Sequence, residues 1–365
     1  MRLVLVGGGH AHLSVLRSFA KQRPKGIQLT LVTPFAHQIY SGMLPGWMVG
    51  HYTRRQCQVD LRPLAEAAGC RLQLDWVAAL DADRHRISLQ GSGEIPYELL
   101  SVDVGSETDT SLLAALGNKL LPIKPLDGFI SHWPKVLALS RVMPGYKLVV
   151  VGAGAAGVEI ALAAQYAFTS TGVSEPVHLV TSNSGMLPGH SYKVRNRVRN
   201  ELERIGVRLH AQQGIGEEAG VRLLDGTLLK ADCVIAATGA RPSMWVTHSK
   251  IALDTRGYIL VDSDHRSLSH PDIFAAGDIC TRQDIAMERS GVHAVHAGPV
   301  LGFNLAAVAN GNQTHAYRPR KRSLYLISCG RRYAIASWGS WSAEGRWAWT
   351  LKNWIDRKFI QKFSM

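Results

Sequence analysis

The chain has 365 residues, 46% hydrophobic and 19% charged, a soluble, globular composition long enough for two domains with sizeable cores. No run reaches the ~18–20 uninterrupted apolar residues of a membrane span, and the short apolar start ending in Gly7-Gly8-Gly9 does not read as a signal peptide. A formal net charge of +13 favours anionic partners, whether acidic membrane, nucleic acid or a phosphate-bearing cofactor. The five cysteines, Cys57, Cys70, Cys233, Cys280 and Cys329, are scattered without a CxxC, so a reducing cytosol with neither disulfide framework nor zinc site is expected.

Arg2 to Val6 reads as the opening strand, Gly7-Gly8-Gly9-His10-Ala11-His12 as a turn and Leu13 to Lys21 as a helix. Gly7 and Gly9 fill the first two positions of a Gly-x-Gly-x-x-Gly turn, and His12 holds the third. That departure implies a looser helix–strand contact or a side chain used for something else. His10 and His12 are either helix-start residues at a domain edge or face a cofactor or substrate. Gln28 to Val32 is the second strand of the unit. Thr33 and Pro34 follow where an acidic residue would take the ribose hydroxyls, which leaves ribose recognition to hydroxyls or backbone. Cys70 to Leu80 and Arg86 to Leu89 alternate as short strands do. Tyr97 to Val104, ending in Gly105-Ser106, reads as a buried strand that terminates at a ligand. Leu120 to Gly128 is a proline-rich crossover. Its Lys124 is either a solvated linker residue or reaches the cofactor.

The stretch KLVVVGAGAAGVE, Lys147 to Glu159, organises the chain. Leu148 to Val151 drops into Gly152, which makes the bend. Gly154 lets a pyrophosphate approach the backbone, and Gly157 lets helix and strand pack closely. Free N–H groups and the dipole at the helix start attract phosphate. One such turn alone serves equally as a packing turn. Here both units read strand, glycine turn, helix, strand ending in Val-Thr, then Ser-Gly-Met-Leu-Pro-Gly at 41–46 and 184–189, which makes them related dinucleotide-binding units. Thr181 and Ser182 replace the acidic residue that selects NAD. The basic helix Ser191 to Ile205, with Lys193, Arg195, Arg197, Arg199 and Arg204, is a solvated face or tolerates a 2′-phosphate. Asp232 to Ala237 runs into Thr238-Gly239, and Ile273 to Ala276 into Gly277-Asp278, where Asp278 is placed to accept from sugar or ribityl hydroxyls. Gly291 to Leu305 follows as a helix. In the tail, RPRKR (318–322) precedes a hairpin, Leu324 to Ser328 and Tyr333 to Trp338, around Gly330. Gly345 to Phe363 then sets Trp347, Leu351, Ile355, Phe359 and Phe363 on one helical face, with Arg346, Lys352, Arg357, Lys358 and Lys362 over the rest. That helix either docks on the protein's own body or a second subunit, or lies on a membrane surface.

In order and spacing, GGGHAH, GAGAAGVE, ATGARP and HPDIFAAGDI resemble the two-dinucleotide-binding-domain flavoproteins, the group of pyridine nucleotide-disulfide reductases, type II NADH dehydrogenases and sulfide:quinone reductases, over Met1 to about Asn310. More narrowly, GGGHAHLSVLR, YSGMLPGWMVGHY, Ile123 to Pro125 and RWAWTLKNWIDRKFIQKF resemble the flavoprotein module often fused to selenophosphate synthetase, here without the kinase. The resemblance implies an α/β fold of two Rossmann-like domains, the second inserted in the first. FAD would take residues 1–122 and 243–312, NAD(P) residues 123–242, and a C-terminal hairpin and amphipathic helix residues 313–365. FAD would lie on Gly7, Gly9, His10, Ala11 and Thr33, near Gly105, with Gly277-Asp278 on the ribityl chain and Gly291-Val292 at the flavin pyrimidine. Gly152, Gly154, Ala155, Gly157, Thr181 and Gly239 would hold NAD(P)H. Glu159 near the nicotinamide and Lys124 facing the flavin are the implied catalytic residues, and no metal is implied.

The departures narrow this reading. With no close cysteine pair, dithiol exchange is not expected, and Cys280 and Cys329 do not fit the separated cysteines of sulfide:quinone reductases. Gly291-Val292 and His296-Ala297 stand where type II dehydrogenases carry Ala-Gln and Gln-Gln, which leaves quinone an open acceptor. The expected activity is hydride transfer from NAD(P)H to flavin N5 and on to a small-molecule acceptor. The expected setting is the cytoplasm or the inner face of the membrane, without nucleic acid and with a homodimer open. Two alternatives stand: a flavoprotein acting on a small substrate without nicotinamide, and a non-turnover accessory module of selenium metabolism.

Overall fold

The computed structural model describes every residue except Asn183, Glu288, Ser290, Lys321 and Met365. Strand β1 (Arg2–Val6) leads into helix α1 (His10–Lys21) and strand β2 (Gln28–Thr33). Strand β3 (Cys70–Leu74), an antiparallel meander over residues 77–96 and β4 (Leu99–Val102) follow. The chain then builds a second unit from β5 (Leu120–Pro122), α2 (Leu126–Val142), β6 (Leu148–Val151), α3 (Ala155–Ser170), β7 (His178–Val180), α4 (Tyr192–Ile205), β8 (Arg208–His210), another meander and β9 (Cys233–Ala236). It returns through β10 (Ile273–Ala275) and α5 (Gly291–Ala309), and ends in β11 (Tyr325–Ser328), β12 (Ala334–Trp338), β13 (Trp341–Gly345) and α6 (Arg346–Phe363).

The two large sheets repeat one another. The first runs β10-β4-β1-β2-β3 and the second β5-β9-β6-β7-β8, every pair parallel. Strands covered on both faces must be apolar throughout, and β1, β4, β6 and β9 are buried along almost their whole lengths. Along β1, Leu3 and Leu5 face α1 and α5, whereas Val4 and Val6 face the meander, as the two-residue period requires. Because β10 follows the second unit in sequence yet completes the first sheet, the second unit is an insertion. Its entry and exit lie side by side, Glu107-Thr108 pairing antiparallel with Ala240-Arg241.

Several boundaries differ from the sequence reading. Residues 120–122 are an edge strand of the second sheet and not linker, so that unit starts before Ile123. The 70–80 stretch breaks at Asp75-Trp76 into two strands of different sheets. The C-terminal hairpin is a three-stranded sheet, because Trp341–Gly345 pairs with β12. The repeated Ser-Gly-Met-Leu-Pro-Gly is helical only in its first copy, where Leu44 and Met48 enter the core of the second unit and the Met48 carbonyl accepts from Trp133 Nε1. In the second copy Leu187 sits at φ 51°, outside any helix.

Helix α5 is long and apolar enough to cross a membrane, yet here it is a core helix. Gly298 and Gly302 let it lie directly on α1: a Cβ built on Gly298 would stand 2.7 Å from Ser14 Cβ and 2.9 Å from the Ala11 carbonyl oxygen. Gly298→Val is expected to destabilise the fold by about 1–3 kcal/mol through overpacking against backbone, seen as a lowered urea midpoint with an unchanged m-value. An unchanged midpoint would mean the two helices are free to separate.

Candidate functional site

The two glycine turns are built alike. Gly7 N–H donates to the Val32 carbonyl and Gly152 N–H to that of Val180, both at 2.8 Å. Gly7 (φ 93°) and Gly152 (φ 107°) adopt a conformation that side chains avoid. A Cβ on either would strike the neighbouring strand's end, 2.4 Å from the Asp103 carbonyl oxygen or 2.3 Å from that of Ala237. Gly157 has the close-packing role expected of it, since its Cβ would fall 1.7 Å from the Gly152 carbonyl oxygen. Gly154 faces open space, as does Gly239 at the end of the next strand. The N–H groups of Ala156 and Gly157 meet no acceptor among the described residues, so the second turn offers free donors to an anion. Ala155 opens that helix, and Thr181, just past β7, is buried with its hydroxyl donating to the Ser182 carbonyl at 3.0 Å.

The first turn differs. Where the second unit has Gly157, His12 is fully buried. Its Nδ1–H donates to the Gly7 carbonyl (2.6 Å), so Nε2 accepts from the Ser101 hydroxyl (2.9 Å). Ala11 and His12 N–H both donate to Asp103 Oδ2, at 2.8 and 3.0 Å. The imidazole in the third glycine position therefore has a structural task, and the first-turn donors already have an acceptor. Thr33 is buried at the end of β2, and Gly105 (φ 70°) opens onto free space beyond β4.

Lys124 is not a solvated linker residue. Its Nζ donates to Asp278 Oδ2 at 2.7 Å and to Ser106 Oγ at 3.1 Å, which joins the crossover to the Gly277-Asp278 turn across 154 residues of sequence. His10 is half-buried nearby, with its Nε2 shut off from solvent. Burial lowers its pKa to about 4, with Asp278 raising and Lys124 lowering it, and Nε2 has no partner among the described residues. A Cβ on Gly291 would come 3.9 Å from the His10 ring, so Gly291-Val292, at the start of α5, closes the same space.

Glu159 lies on α3 and is half-buried. Its Oε1 accepts from Ser328 N–H of the C-terminal sheet (2.8 Å), and burial pushes its carboxyl up to about 7 despite nearby Lys352. Lys352 itself, on α6, donates to Asp356 Oδ2 (2.8 Å) and to the Gly42 carbonyl (2.6 Å). Burial alone would lower Lys352, but Asp356 and Glu159 outweigh it and raise its pKa. Tyr40 flanks Asp356 and stacks on Phe359 with centroids 4.2 Å apart, and His10 meets both rings edge-on. The inner face of α6 is thus Ala348, Lys352, Asp356, Phe359 and Phe363, whereas Trp347, Trp354 and Ile355 point outward. This corrects the expected apolar face. An i,i+4 lysine–aspartate pair inside a basic helix gives no sequence signal of burial. Of the α4 cations, Arg197 binds Glu344 and Ser342, and Arg204 binds Glu201, so these two brace the helix and are not free for a 2′-phosphate.

Residues 1–299 match the profile of the pyridine nucleotide-disulphide oxidoreductase family. The chain belongs to that family. It is an oxidoreductase whose cofactors are FAD and NAD(P)H. A probable ferredoxin reductase of Castellaniella defragrans is 26% identical over 292 residues, which cover 77% of this chain and 68% of that one. The ferredoxin–NAD(+) reductase component of the biphenyl dioxygenase system of Paraburkholderia xenovorans is 29% identical over 289 residues, 76% of this chain and 67% of that one. NDH2 from Plasmodium falciparum, solved with NADH, has the same fold with a TM-score of 0.83 at 13% identity, covering 99% and 97% of the two chains. The sulfide:quinone oxidoreductase of Aquifex aeolicus follows at 0.81 and 15%, covering 99% and 91%.

The residues present fit these cofactors. The orphaned His10 Nε2, the open space at Gly105 and the Asp278 carboxylate surround one seat, and the free donors of Ala156 and Gly157 with the room at Gly154 form the other. All five cysteines are buried free thiols. Bound FAD supplies hydride acceptance and onward electron transfer; the chain supplies position, charge and exclusion of water.

A carboxyl raised from 4.5 to about 7 by burial adds stability that is complete below about pH 4.5 and is lost as the pH rises through 7. Glu159→Gln keeps an acceptor for Ser328 and cannot ionise. It should match wild type near pH 4.5 and exceed it by roughly 3 kcal/mol at pH 8, read from chemical denaturation at the two pH values. Equal stabilities at both would show that Glu159 has no ionisation cost.

Proposed function

We propose that the protein is an NAD(P)H oxidoreductase that works at an anionic membrane surface on the cytoplasmic side and delivers electrons from its flavin to a quinone-type acceptor. The observation that carries this reading is the two-sided nature of α6. Its inner face reaches Glu159, Tyr40 and His10 through Lys352, Asp356 and Phe359. Its outer face exposes Trp347 and Trp354, at 49% and 57%, among Arg346, Lys358 and Lys362, with Trp338 and Trp341 bared on the adjoining hairpin. A shallow groove of about 580 Å³ runs between α6 and α1, lined by Arg17, Trp354, Ile355, Lys358, Phe359 and Lys362. Aromatic side chains over an apolar groove, ringed by cations, suit the headgroup boundary of an anionic leaflet. Each nearby cation adds about 1 kcal/mol there. A quinone takes up two protons with two electrons. Glu159, titrating near neutrality beside the Lys352 ammonium, is suited to hold and release one.

A second reading has one observation in its favour. The segments resembling the module fused to selenophosphate synthetase, residues 7–17, 40–52 and 346–363, pack on one another through His10, Tyr40, Phe359 and the bond from Lys352 to Gly42. An accessory flavin carrier of selenium metabolism would preserve such a nexus without turnover.

Reduction separates the two. NADH or NADPH should bleach the visible flavin band of the purified protein. Gly154→Val, where the fold has open space, should retain FAD but abolish bleaching; a wild type reduced by neither nucleotide would favour the accessory reading. At the membrane, Trp347→Ser with Trp354→Ser should weaken co-sedimentation with phosphatidylglycerol vesicles about tenfold, a loss of ~1.4 kcal/mol. Binding that ignores both the substitutions and salt, or a tryptophan-dependent dimer in its place, would remove the membrane from the proposal.

A further inference from the structure

Asp103 occupies the place that Ala237 holds in the second unit. Asp103 N–H donates to the Val6 carbonyl as Ala237 N–H donates to that of Val151, each at 2.8 Å, and both residues press their carbonyls against the first glycine of the adjoining turn. The second turn leaves its helix-start N–H groups free. In the first, Asp103 Oδ2 accepts from Ala11 and His12, and Oδ1 is wedged between Gly9 and Gly277, whose added Cβ atoms would fall 2.4 and 2.6 Å from it. The side chain is 2% exposed. A carboxylate thus sits at the helix start where a dinucleotide's pyrophosphate seeks the same donors and the same dipole.

Two anions cannot share that point at low dielectric without a large repulsion. A neutral acid can: it still accepts from Ala11 and His12, and its O–H becomes a donor. We propose that Asp103 is a positioning residue for the FAD pyrophosphate and must carry a proton to admit it, so that flavin binds with uptake of one proton from solvent. This rests on the first turn being the FAD seat.

The surroundings set the pH range. Burial pushes the Asp103 carboxyl up to about 7; the bonds from His12 and Ala11 pull it down and Asp278 pushes it further up. Of the other groups facing it, burial lowers His10 and His12 to about 4 and raises the Cys280 thiol to about 12, so none of the three changes charge between pH 6 and 9. Lys124 and Asp278 form a 2.7 Å ion pair beside it. A bound pyrophosphate raises the Asp103 pKa again, so affinity falls once the pH passes that of the flavin-free protein.

The test is FAD titration of flavin-stripped protein, followed by quenching of flavin fluorescence at pH 6 to 9, with far-UV circular dichroism to establish folding. Wild-type Kd should hold steady to about pH 7 and then rise about tenfold per pH unit, the slope of one linked proton. Asp103→Asn, neutral and of the same shape, should keep the pH 6 affinity at every pH. Asp103→Ala, the residue of the second unit, should also be flat and serves if the asparagine variant misfolds. A flat wild-type profile, or a slope that survives in Asp103→Asn, overturns the proposal. The variants then separate the causes. A constant shift in Kd at all pH values leaves the first turn as the flavin seat without a proton. Kd values identical to wild type throughout would remove FAD from that turn altogether.

Discussion

Everything in this molecule is placed by one backbone contact made twice, that of a left-handed glycine at the end of a central strand pressed on the carbonyl of the strand beside it. Gly7 against Asp103 and Gly152 against Ala237 bring two strand ends and a helix start within a few ångströms, which no residue with a Cβ could do. The helix axis is thereby aimed across the carboxyl edge of its sheet, and the next strand's terminal glycine, Gly105 or Gly239, opens at the same edge. Ligands of open parallel sheets bind at that edge. The double crossover at residues 107–108 and 240–241 then joins the two edges.

That contact was legible in the sequence because its requirements are local. One such glycine turn alone serves equally as a packing turn, and it was its repetition in the same strand, turn, helix and strand order that marked both as dinucleotide-binding turns. The parallel strands were legible for a similar reason: Leu148–Val151 and Cys233–Ala236 are apolar without alternation. Strand β13 was not, since Trp-Ser-Ala-Glu-Gly has little strand character and owes its conformation to pairing with β12. Long-range polar pairs were illegible in principle. Nothing in Lys124 points to Asp278, and nothing in Lys352 points to Glu159, until the insertion and the returning helix bring them together. Asp103 was hidden differently, as one polar residue past the end of a buried strand where a ligand-facing residue is expected.

The buried charges follow a consistent logic. Isolated ionised groups are costly inside a protein, yet Lys352 is held between Asp356, Glu159 and the Gly42 carbonyl. Such a cluster adds little net stability over an apolar core. It does fix α6 in one register, because sliding the helix by one residue would strand the ammonium. Phe359 and Phe363 supply the apolar anchoring on the C-terminal side of that pair, in the core shared with α1.

A helix fixed in this way can be read from both sides. Had α6 only to cap the first unit, its outer face would be expected to be polar, since exposed tryptophans in water gain nothing. Had it only to meet a membrane, its inner face would not need a lysine pair buried against Glu159. On the membrane role proposed above, the two demands together account for a chain segment whose cations divide into one turned inward on Asp356 and several left in solvent among the tryptophans. The inner lysine ties the helix to Asp356 and the Gly42 carbonyl, and the outer lysines stand in solvent, where the membrane role proposed above would use them.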